Sequence, residues 1–531
     1  MTIMTQKEKQ YDVIIIGSGL GGLTAGAKLA QDGYKVLLLE QHSIPGGCAT
    51  TFKRKGYTMD VGLHAMDGLD EKDRKKKIFE ELGVVDNIDF IRLPEFYRIK
   101  NQRIDVVVPS STKEAVAALS EIFPEEKKGI KKFFQTLHAI QDESNRVPMT
   151  RWKATLLLPF FPFFFPNIFF NTFTTVGQFL DKIITNNDLK IILAGNILYY
   201  HDDPHSMSLV YFGIAQASYF NGGSHYIKGG SQKLSDYLSR IITKNKGKVL
   251  LNRLATEIIC EKGEAVGVKY IHTRNKYTQK KVISCKTAYG KKIIANTAIP
   301  NVVSLLKGKN SLRLEKKIDQ LRKPCSLISV YICFKSEIKS LQNEHYSTFL
   351  LNDQIRNLRD MQKNHSGPFS RRNFFFTDYS QIDSGLTEKG KSVGTVSTAD
   401  YFSDWEGLNE QEYKKKKDEI AHVIFKKLEE LIPGIQNEIE YYEVGTPKTI
   451  QRYTLNPDGI VYGFAQLPQQ AGIFRLPNKS PVKNLYFASA WSIPGGGFTG
   501  AILSGWLCAH EVTRSLKTFL SLLHKKTYRK S

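Results

Sequence analysis

Hydrophobic positions near the start of the chain form two short continuous runs, residues 13–16 and 36–39, with glycines and small residues between them. A run that is apolar throughout, rather than alternating, is typical of a strand buried on both faces of a parallel sheet. The Ala- and Leu-rich stretch 23–32 predicts a helix that Gly33 ends. The pattern therefore predicts a βαβ unit of about 30 residues.

Glycines fill the turn between the first strand and the helix with the spacing GxGxxG. Gly17 allows the tight turn, Gly19 lets a pyrophosphate approach the backbone, and Gly22 lets the helix pack closely on the strand. The helix N-terminus offers unpaired N–H groups to phosphates. Glu40 ends the second strand, where a carboxylate accepts hydrogen bonds from an adenosine ribose. The spacing indicates a dinucleotide site without a 2′-phosphate, the alternative being a structural turn.

Further along the chain, the pattern predicts regular elements separated by glycine turns. Residues 221–241 contain a glycine turn that opens a helix, and residues 247–270 predict strand, turn and strand with a hairpin at residues 262–263. Residues 410–431 predict an exposed helix with acids early and lysines in its middle. A last strand and glycine turn lead into a helix that starts near Gly500.

Residues 155–173 are nearly as hydrophobic as a transmembrane helix, but Pro159, Pro162 and Pro166 would break one repeatedly. A Phe-rich segment of this kind suits contact with one membrane leaflet or the wall of an apolar tunnel. The alternative is a core segment beneath a loop. Residues 516–531 form a basic tail, either a membrane anchor or a simple surface helix.

Composition narrows the partners and the compartment. A chain of 531 residues exceeds one ordinary core, so two or three domains are expected. The net charge of +23 suits an anionic membrane or a solvated Lys-rich surface. No basic patch interleaved with aromatics is visible, so nucleic acid is not an expected partner. Six cysteines without pairing spacing and a polar N-terminus indicate reduced thiols and no secretory signal, hence a cytoplasmic protein. The net charge and residues 155–173 add the expectation of peripheral membrane association.

Four blocks of sequence, in order along nearly the whole chain, resemble the FAD-binding proteins of the phytoene desaturase, carotenoid isomerase and retinol saturase superfamily. The first is a Pro-Gly-Gly turn and an Asp-Val-Gly triplet after Glu40, and the second is similar to the family's YPKGG turn and the strand behind it. The third resembles its TP…RY…YG stretch, and the fourth its flavin-contacting glycine motif. The blocks are residues 45–47, 50–51 and 60–62; 226–230 and 251–258; 446–447, 452–453 and 462–463; and 494–497, 500 and 504–505.

The resemblance implies an α/β fold with a Rossmann-type, amine-oxidase-like FAD-binding domain, an interleaved α+β substrate domain and a hydrophobic membrane-contacting insert. The FAD-binding domain would be discontinuous, over residues 10–100, 245–305 and 480–515. The substrate domain would cover residues 101–244 and 306–479, with the insert inside it. Two remote glycine loops, one near each end of the chain, would then enclose one FAD.

The residues expected to contact FAD follow from the glycine motif and from the resemblance. They are Gly17, Gly19, Gly22, Glu40, Gly46, Gly47, Thr51, Gly62, Leu254, Ser489, Pro494, Gly495, Gly496 and Gly500. Ser489 departs from the family pattern, because relatives in the isomerase branch carry Gly-Asp before the proline–glycine turn and that Asp holds the ribityl chain. Ser489 offers one hydrogen bond instead.

The resemblance also implies redox or isomerisation chemistry at carbon–carbon double bonds of a polyisoprenoid. Such a substrate has no carbonyl or amine handle, so its binding rests on burial, at ~25 cal/mol per Å² before the costs of ordering. We therefore expect an aromatic-lined tunnel for a hydrophobic carotenoid- or retinoid-like polyene, with saturation, desaturation and isomerisation all open. A flavin amine oxidase and a non-catalytic prenyl-lipid-binding protein of the Rab GDP-dissociation-inhibitor type are the alternatives.

Two histidine-containing stretches invite a chemical interpretation. His64 is the side chain nominated near the reacting carbon, as a proton donor or a polar wall to the flavin, with a structural histidine as the alternative. Residues 201–205 read HDDPH, a composition that metal ligands share, but proline and the lack of a distant partner motif favour a turn at a helix end. No metal is predicted.

Overall fold

The computed structural model describes residues 10–148, 156–274 and 285–527. Thr155 of the Phe-rich segment, residues 528–531 of the tail and the first nine residues lie outside the described part. The strands are β1 Tyr11–Ile16, β2 Val36–Leu39, β3 Thr51–Arg54, β4 Tyr57–Asp60, β5 Met66–Asp67, β6 Phe90–Arg92, β7 Tyr97–Lys100, β8 Asp105–Val108, β9 Ser224–Ile227, β10 Lys248–Leu250, β11 Arg253–Glu261, β12 Glu264–His272, β13 Lys286–Ala295, β14 Ser326–Phe334, β15 Ser347–Leu350, β16 Phe374–Asp378, β17 Ser392–Asp400, β18 Ile439–Gly445 and β19 Leu485–Phe487.

Helices surround the sheets and connect them. They are α1 Leu20–Gln31, α2 Arg74–Glu81, α3 Thr112–Ile122, α4 Lys127–Arg146, α5 Phe161–Phe164, α6 Pro166–Asn171, α7 Val176–Ile183, α8 Asn187–Leu193, α9 Leu209–Gly222, α10 Gln232–Lys244, α11 Ile299–Leu305, α12 Lys309–Ile318, α13 Leu358–His365, α14 Glu410–Leu431, α15 Ile435–Glu438, α16 Pro447–Thr454 and α17 Gly497–Thr527.

The first sheet has the strand order β10-β2-β1-β13-β12-β11, with β19 paired to β13. β10, β2, β1, β13 and β19 are mutually parallel, and β12 and β11 continue the sheet as an antiparallel hairpin. Val13 lies opposite Val36, and both side chains are fully buried. Val13 and Ile15 pack in one hydrophobic cluster with α1 and α17, while Ile14 and Ile16 pack in another with residues of β11, β12 and α11. Both faces are therefore covered, which explains why residues 13–16 are apolar throughout. The predicted βαβ unit and the Rossmann-type α/β fold are confirmed.

The second sheet has the order β18-β14-β17-β16-β15-β7-β8 and is antiparallel except at the β15–β7 pair. Its strands come mainly from the middle of the chain, although β7 begins at Tyr97. Two smaller sheets have the strand orders β3-β4 and β5-β9-β6. The domain borders expected from the sequence stay a prediction.

Local expectations are largely met, with informative differences. The stretch 247–270 contains three strands rather than two, because β10 leaves the hairpin and pairs in parallel with β2. The turn of that hairpin is at Lys262 and Gly263, both with positive φ. The helix predicted over residues 410–431 is α14, which buries Ile420, Ile424 and Leu428 on one face and so is only partly exposed. The last helix begins at Gly497 and continues without a break into the basic tail.

Candidate functional site

The first glycine loop joins β1 to α1 and leaves almost no room for side chains. Gly17 has φ +94° and donates its N–H to the Leu39 carbonyl at 2.8 Å. A β-carbon at Gly22 would lie 2.3 Å from the Gly17 carbonyl oxygen, so this glycine permits the helix to start directly against the turn. The loop therefore presents bare backbone at the N-terminus of α1, which suits a phosphate.

Glu40 is held in place by the same loop. Its Oε2 accepts the Ser18 N–H at 2.7 Å and the Ser18 hydroxyl at 2.6 Å, while Oε1 accepts the His42 N–H at 2.7 Å. The side chain is buried except where it borders a cavity. A carboxylate oxygen can accept two hydrogen bonds, so Oε1 keeps capacity for a ribose hydroxyl.

The second glycine loop lies against the first. Gly46 donates its N–H to the Ser18 carbonyl at 2.9 Å and pairs with Gly19 in an isolated parallel bridge. A β-carbon at Gly47 would approach the Gly19 Cα to 3.3 Å, in a backbone conformation with φ +62° that side chains rarely adopt. The two loops together form a cradle of backbone that added side chains would fill.

The C-terminal loop reaches this cradle because α17 and α1 meet through glycines. A β-carbon at Gly21 would lie 2.1 Å from the Ala488 carbonyl oxygen, and one at Gly505 would lie 2.2 Å from that of Gly21. Arg475, itself buried, donates to the carbonyls of Phe464, Ala490 and Ser492 and fixes the loop from behind. Burial lowers the pKa of its guanidinium to about 10, so it stays charged at neutral pH.

A single cavity of about 1780 Å³ joins the three loops. Of the residues expected to contact FAD, twelve line it: Gly17, Gly19, Glu40, Gly46, Gly47, Thr51, Gly62, Leu254, Ser489, Pro494, Gly496 and Gly500. Gly22 and Gly495 do not line it and have packing roles instead. A β-carbon at Gly495 would lie 2.0 Å from Gln466 Nε2. The cradle and the Glu40 carboxylate fit a dinucleotide, and the individual FAD contacts stay a prediction.

His64 also lines the cavity, and its hydrogen bonds indicate its protonation state. Its Nδ1 lies 3.2 Å from the Tyr379 hydroxyl, which donates its one proton to the Leu63 carbonyl at 2.9 Å. His64 Nδ1 therefore carries a proton. Burial lowers the pKa of His64 to about 4, so at neutral pH the ring is uncharged and Nε2 is an acceptor. This geometry favours the polar wall over the proton donor among the two roles considered for this residue.

Aromatic rings continue the cavity away from the glycine loops. The ring of Phe375 contacts those of His64 and Tyr199, at centroid distances of 5.1 and 5.6 Å. Tyr200 and Tyr211 follow on the same wall, and the Tyr211 hydroxyl donates to the Gly496 carbonyl at 3.2 Å. We call this part of the cavity the corridor, lined by Tyr199, Tyr200, Tyr211, Ile214, Ala215, Tyr219 and Phe375.

The Phe-rich segment is broken at its prolines, as expected, into the short helices α5 and α6. With Ile473 and Phe474 from a distant loop it forms an exposed apolar area, which we call the Phe surface: Leu156, Phe160, Phe163, Phe164, Phe169, Phe170, Phe173, Ile473 and Phe474. The Phe173 and Phe474 rings stack with centroids 5.7 Å apart. Within the described ranges, no helix is long and apolar enough to cross a bilayer.

Glu143 of α4 anchors this segment to the rest of the protein. Its buried carboxylate accepts the N–H groups of Asn167 and Ile168 and the Asn167 side-chain amide, at 2.7 to 3.0 Å. Ser144 and Asn145, the next residues, line the cavity. The Phe-rich segment is therefore held by the residue that precedes Ser144 and Asn145 of the cavity wall.

Two side chains of the site were not predicted from the sequence. Asn296 follows β13 and lies so close that a β-carbon at Gly19 would be 2.8 Å from its Nδ2. The sequence does contain a pattern that marks Asn296: an apolar run followed by a polar residue, as at Glu40. No local sequence pattern marks Arg475, because its hydrogen-bond acceptors are backbone carbonyl groups of other segments.

The HDDPH stretch is a turn ahead of α9. His201 Nδ1 accepts the N–H groups of Asp202 and Asp203, and Asp202 accepts the Tyr401 hydroxyl at 2.7 Å. Across the described part of the chain, no group of three or more His, Cys, Asp or Glu side chains could hold a metal ion.

A family model of flavin-containing amine oxidoreductases matches residues 20–513. The chain belongs to this family. Its cofactor is therefore FAD, and the protein is an FAD-dependent oxidoreductase in the broad sense. Among curated proteins, it is 28% identical to a chloroplastic prolycopene isomerase of Daucus carota, over 97% of this chain and 82% of that protein. It is 27% identical to an all-trans-retinol 13,14-reductase of Danio rerio, over 95% and 86% respectively.

Solved structures agree on the fold. A cyclohexylamine oxidase from Brevibacterium oxydans superposes with a TM-score of 0.61 at 15% identity, covering 96% of this chain and 99% of the other. The resemblance to the carotenoid isomerase and retinol saturase superfamily, expected from four blocks of sequence, is confirmed by the curated relatives together with the family match.

Proposed function

We propose that this protein is an FAD-dependent oxidoreductase that acts on carbon–carbon double bonds of a polyisoprenoid lipid, by saturation, desaturation or cis–trans isomerisation. The observation that carries the proposal is the continuity between the dinucleotide cradle and the aromatic corridor within one cavity. Support also comes from the relatives, one named for a carotene isomer and the other for retinol.

The residues of the corridor suit an uncharged chain. Tyr200 has a buried hydroxyl with no partner in the described residues, and burial raises its pKa well above the usual value. It therefore keeps its proton and presents it to a π-bond of the substrate, while neutral His64 adds no charge. FAD, when bound, supplies hydride-transfer chemistry. The chain itself orients the polyene and excludes water from the cradle.

A panel of substrates tests the proposal. FAD-loaded protein would be incubated with phytoene, poly-cis carotenes and retinol, and the products analysed by mass and absorption spectrum. A mass loss of two hydrogens identifies desaturation, a mass gain identifies saturation, and a changed spectrum at constant mass identifies isomerisation. If every polyene is recovered unchanged under both oxidising and reducing conditions, the proposal is wrong.

A flavin amine oxidase is the second candidate, favoured by the fold shared with the cyclohexylamine oxidase. Such an enzyme would consume oxygen when supplied with primary amines and leave the polyenes untouched. A purely lipid-binding protein of the Rab GDP-dissociation-inhibitor type would lack the absorbance of bound flavin. The crowded glycines of all three loops support a retained cofactor site instead.

We further propose that the Phe surface seats the protein on the cytoplasmic face of an anionic membrane. Phe163 and Phe170 are 82% and 74% exposed, which is unusual for side chains as large and apolar as these. The net charge of +23 adds electrostatic attraction to anionic lipids. Because Glu143 holds the segment next to Ser144 and Asn145 of the cavity wall, this side of the protein is the proposed entrance for a lipid substrate from the bilayer.

A further inference from the structure

The corridor changes character at the end that lies away from the glycine loops. Along α9, Tyr211, Ile214, Ala215 and Ser218 face the cavity at helical spacing. Beyond them the wall is polar, and its side chains belong to Asp67, Asp73, Arg74, Gln141, Ser144 and Asn145. Tyr211 contacts the Gly496 carbonyl, and Ser218 lies seven residues, or roughly 10 Å, further along the helix. One end of the corridor thus faces the flavin cradle and the other faces a guanidinium.

Only one of the three guanidinium nitrogens of Arg74 donates hydrogen bonds to described residues. Its Nη2 alone donates to the carbonyls of Ser144, Asn145 and Val147, at 2.7, 2.8 and 3.1 Å. These bonds cap the carbonyl groups at the C-terminus of α4 and use one nitrogen of the guanidinium, Nη2. Its Nε and Nη1 donate to no residue in the described part of the protein.

The charge of Arg74 also has no counter-ion among the described residues. Two acids that line the same cavity, Asp67 and Asp73, form ion pairs with the fully buried Lys75. Burial lowers the pKa of Arg74, and no carboxylate opposes that effect. Arg74 is half-buried on a cavity wall, and a partly desolvated guanidinium without a paired carboxylate suits an anion that comes from outside the chain.

We propose that Arg74 binds an oxyanion, a carboxylate or phosphate, at the end of the isoprenoid substrate while the chain fills the corridor. This inference rests on the proposed function and narrows it to end-functionalised isoprenoids. Both bidentate faces of a guanidinium use an Nη2 N–H, and Nη2 of Arg74 is occupied by α4. Either Nη1 or Nε therefore donates a single charge-assisted hydrogen bond to the oxyanion. Gln141 and Asn145 stand beside it as further polar groups on the rim.

Binding of three retinoids that differ only at one end tests the assignment. All-trans-retinoic acid, all-trans-retinol and the hydrocarbon axerophthene would be titrated into the FAD-loaded holoenzyme, with quenching of intrinsic tryptophan fluorescence as the readout. Wild-type protein should bind the acid more tightly than the hydrocarbon by roughly tenfold to a hundredfold, the usual gain from a hydrogen bond to a charged group. Arg74→Met should abolish most of that preference, and Arg74→Lys should retain part of it.

Lys72→Met is the matched control, since it removes a positive charge two residues away on an exposed side chain. It should keep the acid preference. The melting temperature and flavin content of Arg74→Met show whether Arg74 does no more than cap the C-terminus of α4. Equal binding of acid, alcohol and hydrocarbon by wild-type protein overturns the inference and leaves the proposed function standing. Absence of binding by all three retinoids would also overturn the inference, while the proposed function is decided by the substrate panel with phytoene and poly-cis carotenes.

The same oxyanion chemistry is available from phospholipid headgroups, and a second measurement separates the two sources. Flotation with vesicles containing phosphatidylserine should be the same for Arg74→Met and for Lys72→Met. If Arg74→Met alone lost flotation while its retinoid preference was unchanged, Arg74 would contact the membrane rather than the substrate, and the inference would fail.

Discussion

Gly505 of α17 lies against Gly21 of α1 so closely that a β-carbon at position 505 would come within 2.2 Å of the Gly21 carbonyl oxygen. This contact joins the last helix to the first and sets the distance between the two ends of the cofactor cradle. Gly505→Ala should therefore force the helices apart, at a cost of about 1–3 kcal/mol. We expect a lower melting temperature and loss of FAD during gel filtration.

Gly367→Ala provides the comparison for that variant. A β-carbon there would meet its nearest neighbour, the Asn364 carbonyl oxygen, at an ordinary 3.4 Å. It should leave both melting and flavin content as in the wild type. Full flavin retention by Gly505→Ala would show that the helix contact does not hold the cradle together.

Glu40→Gln should weaken FAD binding while leaving the fold intact. The carboxylate accepts three hydrogen bonds, two from Ser18 and one from the His42 N–H, and an amide oxygen with an NH₂ group cannot replace both acceptor sites. Loss of one bond to a charged group raises the dissociation constant roughly tenfold to a hundredfold. Fluorescence titration of apoprotein with FAD measures it. Glu121→Gln, an exposed acid far along the chain, should bind FAD normally, and equal affinities in the two variants would contradict the assigned role.

The free energy of unfolding should depend on pH through His64. Its folded-state pKa of about 4 lies below the unfolded value near 6.5, so the unfolded state binds more protons between these values. Stability from this residue is complete above pH 6.5 and is lost as the pH falls toward 4. At pH 5 the loss amounts to about 2 kcal/mol relative to pH 7.

Urea unfolding at pH 7 and pH 5 checks this expectation. In His64→Gln the decrease in the free energy of unfolding between pH 7 and pH 5 should be smaller by about 2 kcal/mol, because an amide does not titrate. An unchanged pH dependence in the variant would mean that His64 is not neutral in the native protein. Steady-state rates above pH 5.5 should show no ionisation from this residue.

The double variant Phe163→Ser with Phe170→Ser should lose association with anionic vesicles. Each Phe buried in a bilayer contributes about 1.5–3 kcal/mol, so removing two decreases the partition coefficient by orders of magnitude. Wild-type flotation should weaken in high salt, which screens the electrostatic part. Ile122→Ser with Leu312→Ser removes two other exposed apolar side chains as the control. Equal flotation of both double variants would exclude the Phe surface as the contact.

The sequence predicted the parts of the site that depend on local geometry. Gly17, Gly19 and Glu40 belong to one strand–turn–helix–strand unit, so their spacing alone positions them. The Phe-rich segment was recognisable because large apolar residues between prolines fit neither a spanning helix nor an ordinary core.

Long-range parts of the site could not be predicted in this way. Arg475 recognises carbonyl groups, which every residue has, so no side-chain pattern marks its partners. Ile473 and Phe474 complete the Phe surface from about 300 positions away. The role of Gly495 in packing rather than lining depends on the position of Gln466, which only the folded chain determines.

The contact between α17 and α1 also constrains when the protein can acquire its cofactor. The cradle needs both the turn at Gly17 and the loop that ends at Gly497, 480 residues further along the chain. The βαβ unit at the start of the chain therefore cannot enclose the flavin nucleotide by itself. Cofactor binding has to wait until the loop before α17 has folded against α1.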